Sequence, residues 1–184
     1  MKTKTVVATI FSVIIVLSAF VIIIESGYGT PHNPEFGLLS SGRASQFTNE
    51  TFNYSESGEA TYQGITISEY ENLYPVRNSP IYLDIIVYKL NNTSQALDKY
   101  DNSTFATSTG LNPKIYSEVK NISYNGFTYT YFYPAKNNPL YNSIAYGYER
   151  EYDFTIITDL SINNQSLVQL INAQINVMTN HSFI

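Results

Sequence analysis

The chain predicts an α+β fold: an N-terminal transmembrane helix, then one ectodomain with a mainly antiparallel sheet and two helices packed on it. Three observations carry this reading. Ile81 to Leu90 (IYLDIIVYKL) is a β-branched and aromatic run of strand length. Asn125-Gly126 stands between two further runs of that kind, as the two-residue turn of a hairpin. Leu167, Leu170, Ile171, Ile175 and Met178 repeat at helical spacing.

The first element is Val6 to Ile24 (VVATIFSVIIVLSAFVIII), which contains no charge, glycine or proline. A bilayer core of about 30 Å takes roughly 17–25 apolar residues as a helix. Lys2 and Lys4 precede the run and Glu25 follows it, which places residues 1–5 in the cytoplasm and the rest outside. The apolar stretch is longer than that of a secretory signal and no clean small-residue cleavage pattern follows it, so an uncleaved anchor is favoured over a cleaved signal peptide. Residues 25–58 read as a stalk, because Gly27, Gly29, Pro31, Pro34, Gly37, Gly42 and Gly58 punctuate a polar stretch without a sustained period. Within it, Gln46 to Tyr54 has scattered aromatics suited to adding as a strand to this domain or to a neighbour.

The ectodomain is expected over residues 59–184. Ala60 to Ser68 reads as a strand, and Ile81 to Leu90, β-branched and aromatic on both faces, as a central strand covered on both sides. Ala96, Leu97 and Tyr100 form the apolar stripe of a helix within Asn92 to Phe105, with Asn92 or Thr93 as its cap. Ile115 to Ile122 and Phe127 to Tyr133 are the two arms of the Asn125-Gly126 hairpin. Residues 134–143 form a loop, and Ile144 to Arg150 with Tyr152 to Thr158 make one long bent strand or two strands. The last helix starts between Ser161 and Asn164.

Composition narrows function more by exclusion than by indication. With 184 residues there is room for a single ectodomain. The net charge of −5, with no basic patch, argues against a nucleic-acid partner. Cysteine is absent, so neither a disulfide framework nor a thiol nucleophile exists. The two histidines, His32 and His181, lie far apart near the ends of the chain, too few and too distant for a zinc site or a hydrolytic triad. The chain therefore reads as a non-enzyme without cofactor or metal.

Acceptor sequons of the form N-x-S/T occur at Asn49, Asn53, Asn91, Asn92, Asn102, Asn121, Asn164 and Asn180, none inside an apolar run. Their placement at element ends and in linkers is where a glycan projects into solvent. A cysteine-free, lysine-poor chain rich in Tyr, Asn, Ser and Thr and dense in sequons resembles the envelope glycoproteins of archaea, particularly thermoacidophiles. The resemblance is one of composition along the whole chain. It implies an envelope setting and assigns no functional residue.

Two constellations compete for a chemical role. Glu149, Glu151 and Asp153 share a face if their strand is straight, as weak candidates for a cation site, against the plainer reading of a solvated bend. Phe127, Tyr129, Tyr131 and Tyr133 alternate along one strand, and an exposed row of such rings would bind a sugar or a protein. The plainer reading, a core face under a helix, is favoured.

The resulting expectation is a single-pass cell-surface glycoprotein, held in membrane lipid by residues 6–24. It acts through contacts with other membrane or envelope proteins, or with further copies of itself, as an accessory subunit or envelope component. The alternatives are a secreted filament subunit assembling by strand addition, if the N-terminal run is cleaved, and a small-ligand or carbohydrate-binding domain.

Overall fold

The computed structural model describes residues 36–77, 79–135, 141–160 and 162–182. The expected cytoplasmic tip, the anchor at 6–24, the first part of the stalk and His32 lie outside the described residues. Among the described residues, no helix is long and apolar enough to cross a membrane.

The fold is α+β. Seven strands form one sheet: β1 (Tyr54–Tyr62), β2 (Ile65–Tyr74), β3 (Leu83–Lys89), β4 (Tyr116–Tyr124), β5 (Phe127–Pro134), β6 (Ser143–Glu149) and β7 (Tyr152–Thr158). Every neighbouring pair is antiparallel, in the order β1-β2-β3-β7-β6-β5-β4. Among the described residues, three helices accompany the sheet: α1 (Ser41–Ala44), α2 (Thr93–Gly110) and α3 (Asn164–Ser182). The first three strands form a meander. The chain then crosses the sheet through α2 and returns strand by strand from the far edge, so that β7 closes against β3.

Local chemistry explains the boundaries. Asn92 Oδ1 accepts the Gln95 N–H at 3.0 Å and caps α2. Asn163 Oδ1 does the same for the Ser166 N–H at 2.9 Å at the start of α3. Asn125 and Gly126 hold φ of 46° and 87°, the conformation a two-residue turn between twisted strands demands. Arg150, at φ 52°, turns β6 into β7, so the segment from Ile144 to Thr158 is two strands.

The two faces of the sheet are covered by different means. One face carries the main core: Leu73, Leu83, Ile85, Val87, Phe154 and Ile156, each fully buried, with Phe127 and Tyr129 beside them. Leu167, Leu170, Ile171, Ile175 and Met178 of α3 close over this face. The opposite face receives α2, which packs on β6 and β7. Only Ala96 and Tyr100 of α2 are buried. Its attachment is largely polar: Lys99 Nζ to Asp153 Oδ1 at 2.7 Å, the Tyr100 hydroxyl to Thr130 Oγ1 at 2.7 Å, and Thr107 Oγ1 to the Tyr146 hydroxyl at 3.0 Å.

Three sequence expectations are corrected. Ala60 to Ser68 is not one strand but a hairpin: Gln63 and Gly64, at φ 52° and 76°, turn β1 into β2, and β2 runs on to Tyr74. From residue 36 onward, the expected stalk is packed. Phe36, Leu39, Ala44 and Phe52 are buried in the main core, because burying these rings and chains outweighs the absence of a regular element to carry them. The piece from Gln46 to Tyr54 is accordingly a covered segment rather than a free strand, and only Tyr54 enters the sheet.

Candidate functional site

Among the described residues, helix α2 reaches β5, β6 and β7 and touches β3 at Tyr88, under Lys99, and no element packs over the rest of the β1-β2-β3 half of its face. Strand alternation places Tyr70, Asn72 and Tyr74 of β2, with Asp84 and Ile86 of β3, on this open half. All five are half-buried, in contrast to Leu73, Leu83, Ile85 and Val87 on the other face, which are fully buried. Tyr54 on β1 extends the surface. Its ring lies 6.1 Å from that of Tyr74, the Arg77 guanidinium stands 5.4 Å over it, and its hydroxyl donates to Glu56 Oε1 at 3.2 Å. A Cβ on Gly58 would fall 2.7 Å from the Tyr70 hydroxyl, so the glycine is what lets that ring cross β1.

Asp84 is the chemically distinctive residue of this surface. It pairs with Asn72 on one side and Ile157 on the other. Its Oδ1 is buried without a hydrogen-bond partner. Burial, and secondarily the charge of Asp159, push its carboxyl up to about 7. Asp159 Oδ1 accepts the Tyr82 N–H at 2.6 Å, and burial raises its carboxyl as well. Burial pushes the Tyr74 hydroxyl up to about 12, with Asp84 adding to the shift, and raises that of Tyr82 in the same way. Near neutral pH the patch therefore presents tyrosine hydroxyls, a primary amide and a carboxyl on the verge of protonation. Such a set exchanges hydrogen bonds with a neutral polar partner. The patch continues into the β1–β2 hairpin, whose tip exposes Tyr62 and Ile65 at 65% each, with Ile67 at 41%.

The residues singled out from the sequence are distributed differently. Glu149 closes β6, Glu151 lies in the turn, and Asp153 is fully buried on β7, opposite Tyr148. The expected common face of Glu149, Glu151 and Asp153 is thus broken by the Arg150 turn. Among the described residues no group of three or more His, Asp or Glu is arranged to hold a metal ion. Asp153 serves α2 instead. Burial raises its carboxyl to about 6 even though the Lys99 ammonium opposes the shift. That ammonium also stands 3.9 Å over the Tyr88 ring.

Tyr129 and Tyr131 are buried in the main core and Tyr133 is half-buried beside them, so this row is not an exposed binding surface. Thr130 and Phe132 on the reverse face of β5 are buried as well. The eight sequon asparagines are all exposed, as are Asn112, Asn125 and Asn163, which head no sequon; Asn72, Asn142, Asn172 and Asn176, also outside sequons, are half-buried.

Asp84 escaped the sequence reading, although a signal was present: it is the sole acidic residue in a strand that is otherwise apolar or aromatic up to Lys89. Which face it occupies, and that this face stays uncovered, depends on where α2 lands. A groove of about 220 Å³ lies between α2 and β4. That is below the roughly 300 Å³ at which small-molecule sites begin.

No protein-family model matches this chain, and neither the curated proteins nor the solved structures give a match.

Proposed function

We propose that this protein is a membrane-anchored surface glycoprotein whose domain acts by contact with other proteins of the membrane or envelope. The observation that carries the proposal is the open half of the sheet, a broad tyrosine-bearing face continuous with the exposed apolar tip of the β1–β2 hairpin. A face of this kind, side chains laid across neighbouring strands, suits a macromolecular partner, and tyrosine supplies contact area at low entropic cost. The apolar run from Val6 to Ile24 supports the anchoring and the eight exposed sequons support the exported side.

The test is a paired substitution at the hairpin tip. Tyr62→Ser with Ile65→Ser removes exposed apolar area, so the melting temperature of the domain should stay within about 2 °C of the parent. The native assembly extracted in mild detergent should lose its partners. An assembly of unchanged mass would refute the contact role of this surface. A second reading, carbohydrate binding on the same face, is supported by the tyrosines flanking the raised carboxyl of Asp84. It predicts glycan-array binding that Tyr74→Ala abolishes.

A further inference from the structure

Asn121 differs from the other sequon asparagines in being built into the sheet. The register of β4 against β5 passes from Val119 opposite Tyr131 to Ile122 opposite Tyr129, leaving Lys120 and Asn121 together opposite Thr130. This is a β-bulge, a device that re-aims a side chain. Asn121 takes φ 54°, and its N–H donates to Thr130 Oγ1 at 3.1 Å. Its Oδ1 accepts the Tyr100 hydroxyl of α2 at 3.1 Å. Among the described residues, its Nδ2 has no hydrogen-bond partner. Asn53 provides the contrast, with Nδ2 already donating to the Pro75 carbonyl at 3.0 Å.

The bulge sets Asn121 on the rim of the 220 Å³ groove between α2 and β4. Phe105, 70% exposed, lines that groove from the helix. The hydroxyls of Thr104 and Ser108, the carboxylates of Asp101 and Glu118, and Lys120, which pairs with Glu118, line the same groove. An exposed phenylalanine flanked by hydroxyls, beside a pinned asparagine amide with a free N–H, is a seat for a sugar ring. The apolar face of a pyranose stacks on the ring and its hydroxyls meet the polar rim.

We propose that Asn121 is an N-glycosylation site whose first sugar residue packs in the α2–β4 groove against Phe105, so that the glycan forms part of the fold. The proposal rests on the exported-side reading above. In the modification, Asn121 Nδ2 forms a bond to the anomeric carbon of a lipid-phosphate-linked oligosaccharide. The anomeric C–O bond to phosphate breaks, the lipid phosphate leaves with the bonding electron pair, and one amide proton passes to a base. The amide carbonyl survives this exchange, so the hydrogen bond from Tyr100 is retained. Glycosylation here also blocks the β4 edge, where the bulge and the Lys120–Glu118 pair at 3.0 Å already discourage strand pairing.

The experiment compares the full chain with Ser123→Ala, which removes the acceptor sequon and leaves Asn121 and its bonds in place. Both are produced in a host that N-glycosylates exported proteins and in one that does not. Glycopeptide mass spectrometry reads occupancy at each sequon. Asn121 should be occupied in the parent. In the glycosylating host Ser123→Ala should melt about 2–4 °C lower than the parent, the shift of a modest interaction in a chain of this size. The two should melt together when neither is glycosylated. In a Phe105→Ala background the difference should vanish. Glycan at Asn49 or Asn102 with none at Asn121 overturns the site, and an occupied Asn121 with no Ser123→Ala shift overturns the packing. Glycan at no sequon overturns the exported-side reading and this inference with it.

Discussion

Gln174 of α3 holds the backbone around Leu39 with both ends of its side-chain amide. Its Oε1 accepts the Leu39 N–H at 2.9 Å, and its Nε2 donates to the Gly37 carbonyl at 2.9 Å, across 135 residues of chain. Gln174 is fully buried, so each of its polar groups needs this partner. A third bond, from the Phe36 N–H to Glu69 Oε2 at 2.9 Å, ties the same segment to β2. The N-terminal segment thus closes the core from β2 to α3. Gln174→Ala strands a buried N–H and a buried carbonyl and should cost about 2–4 kcal/mol. Urea denaturation measures this, and limited proteolysis should show new cuts between residues 36 and 52.

Lys99 and Asp153 do for α2 what Gln174 does for the N-terminal segment. Removing the ammonium by Lys99→Met leaves Asp153 buried with no counter-charge. At pH 8 the loss should be about 3 kcal/mol, the lower end for a broken buried pair, given that Lys99 is partly solvated. At pH 4.5 the same substitution should cost markedly less, because Asp153 is then protonated. Equal costs at both values would show that the pair contributes packing and not charge.

The raised carboxyls make the domain a protein stabilised by acid. Asp84 and Asp153 move from an ordinary value of 3.8 to about 7 and about 6, both chiefly through burial. The folded state therefore holds these protons more tightly than the unfolded one. Their stabilisation is fully present below about pH 3.8 and is lost as pH rises through 6 and 7. The melting temperature should climb by several degrees from pH 8 to pH 5. Asp84→Asn should remove the part of that rise that sets in as pH falls through about 7 and continues towards pH 4, because the amide carries no titrating proton.

Tyr129 tests the assignment of the aromatic row. Its ring is buried among core residues, and its hydroxyl donates to Asn172 Oδ1 at 3.4 Å. Tyr129→Ala should destabilise by about 3–5 kcal/mol, as large aromatic truncations do. A cost under about 1 kcal/mol would return the row to the surface.

Legibility in the sequence followed the range of the forces involved. Asn125-Gly126 was readable because a two-residue turn imposes its own conformation on its own residues. The cap of α2 was readable to within one residue, Asn92 or Thr93, for the same reason. Gln63-Gly64 makes a turn of similar shape, but glutamine carries no local hydrogen-bonding habit that announces it. The segment from Phe36 to Phe52 has no period, since its apolar residues are set by partners such as Glu69 and Gln174 far along the chain. The carboxylate triplet failed on a single residue: Arg150 takes a positive φ and parts Glu149 from Asp153. Asp84 was visible as an acid in an apolar strand. Its meaning rests on the crossover of α2, which packs on β6 and β7 and reaches β3 only at Tyr88, and only the assembled topology determines that.

The most direct test of the contact proposal is the mass and composition of the native particle after mild detergent extraction of membranes. The account predicts a discrete assembly in which this chain retains residues 1–24 and is present in fixed ratio to other membrane or envelope proteins. A monomer, or a polymer of this chain alone that begins after the apolar run, would contradict it.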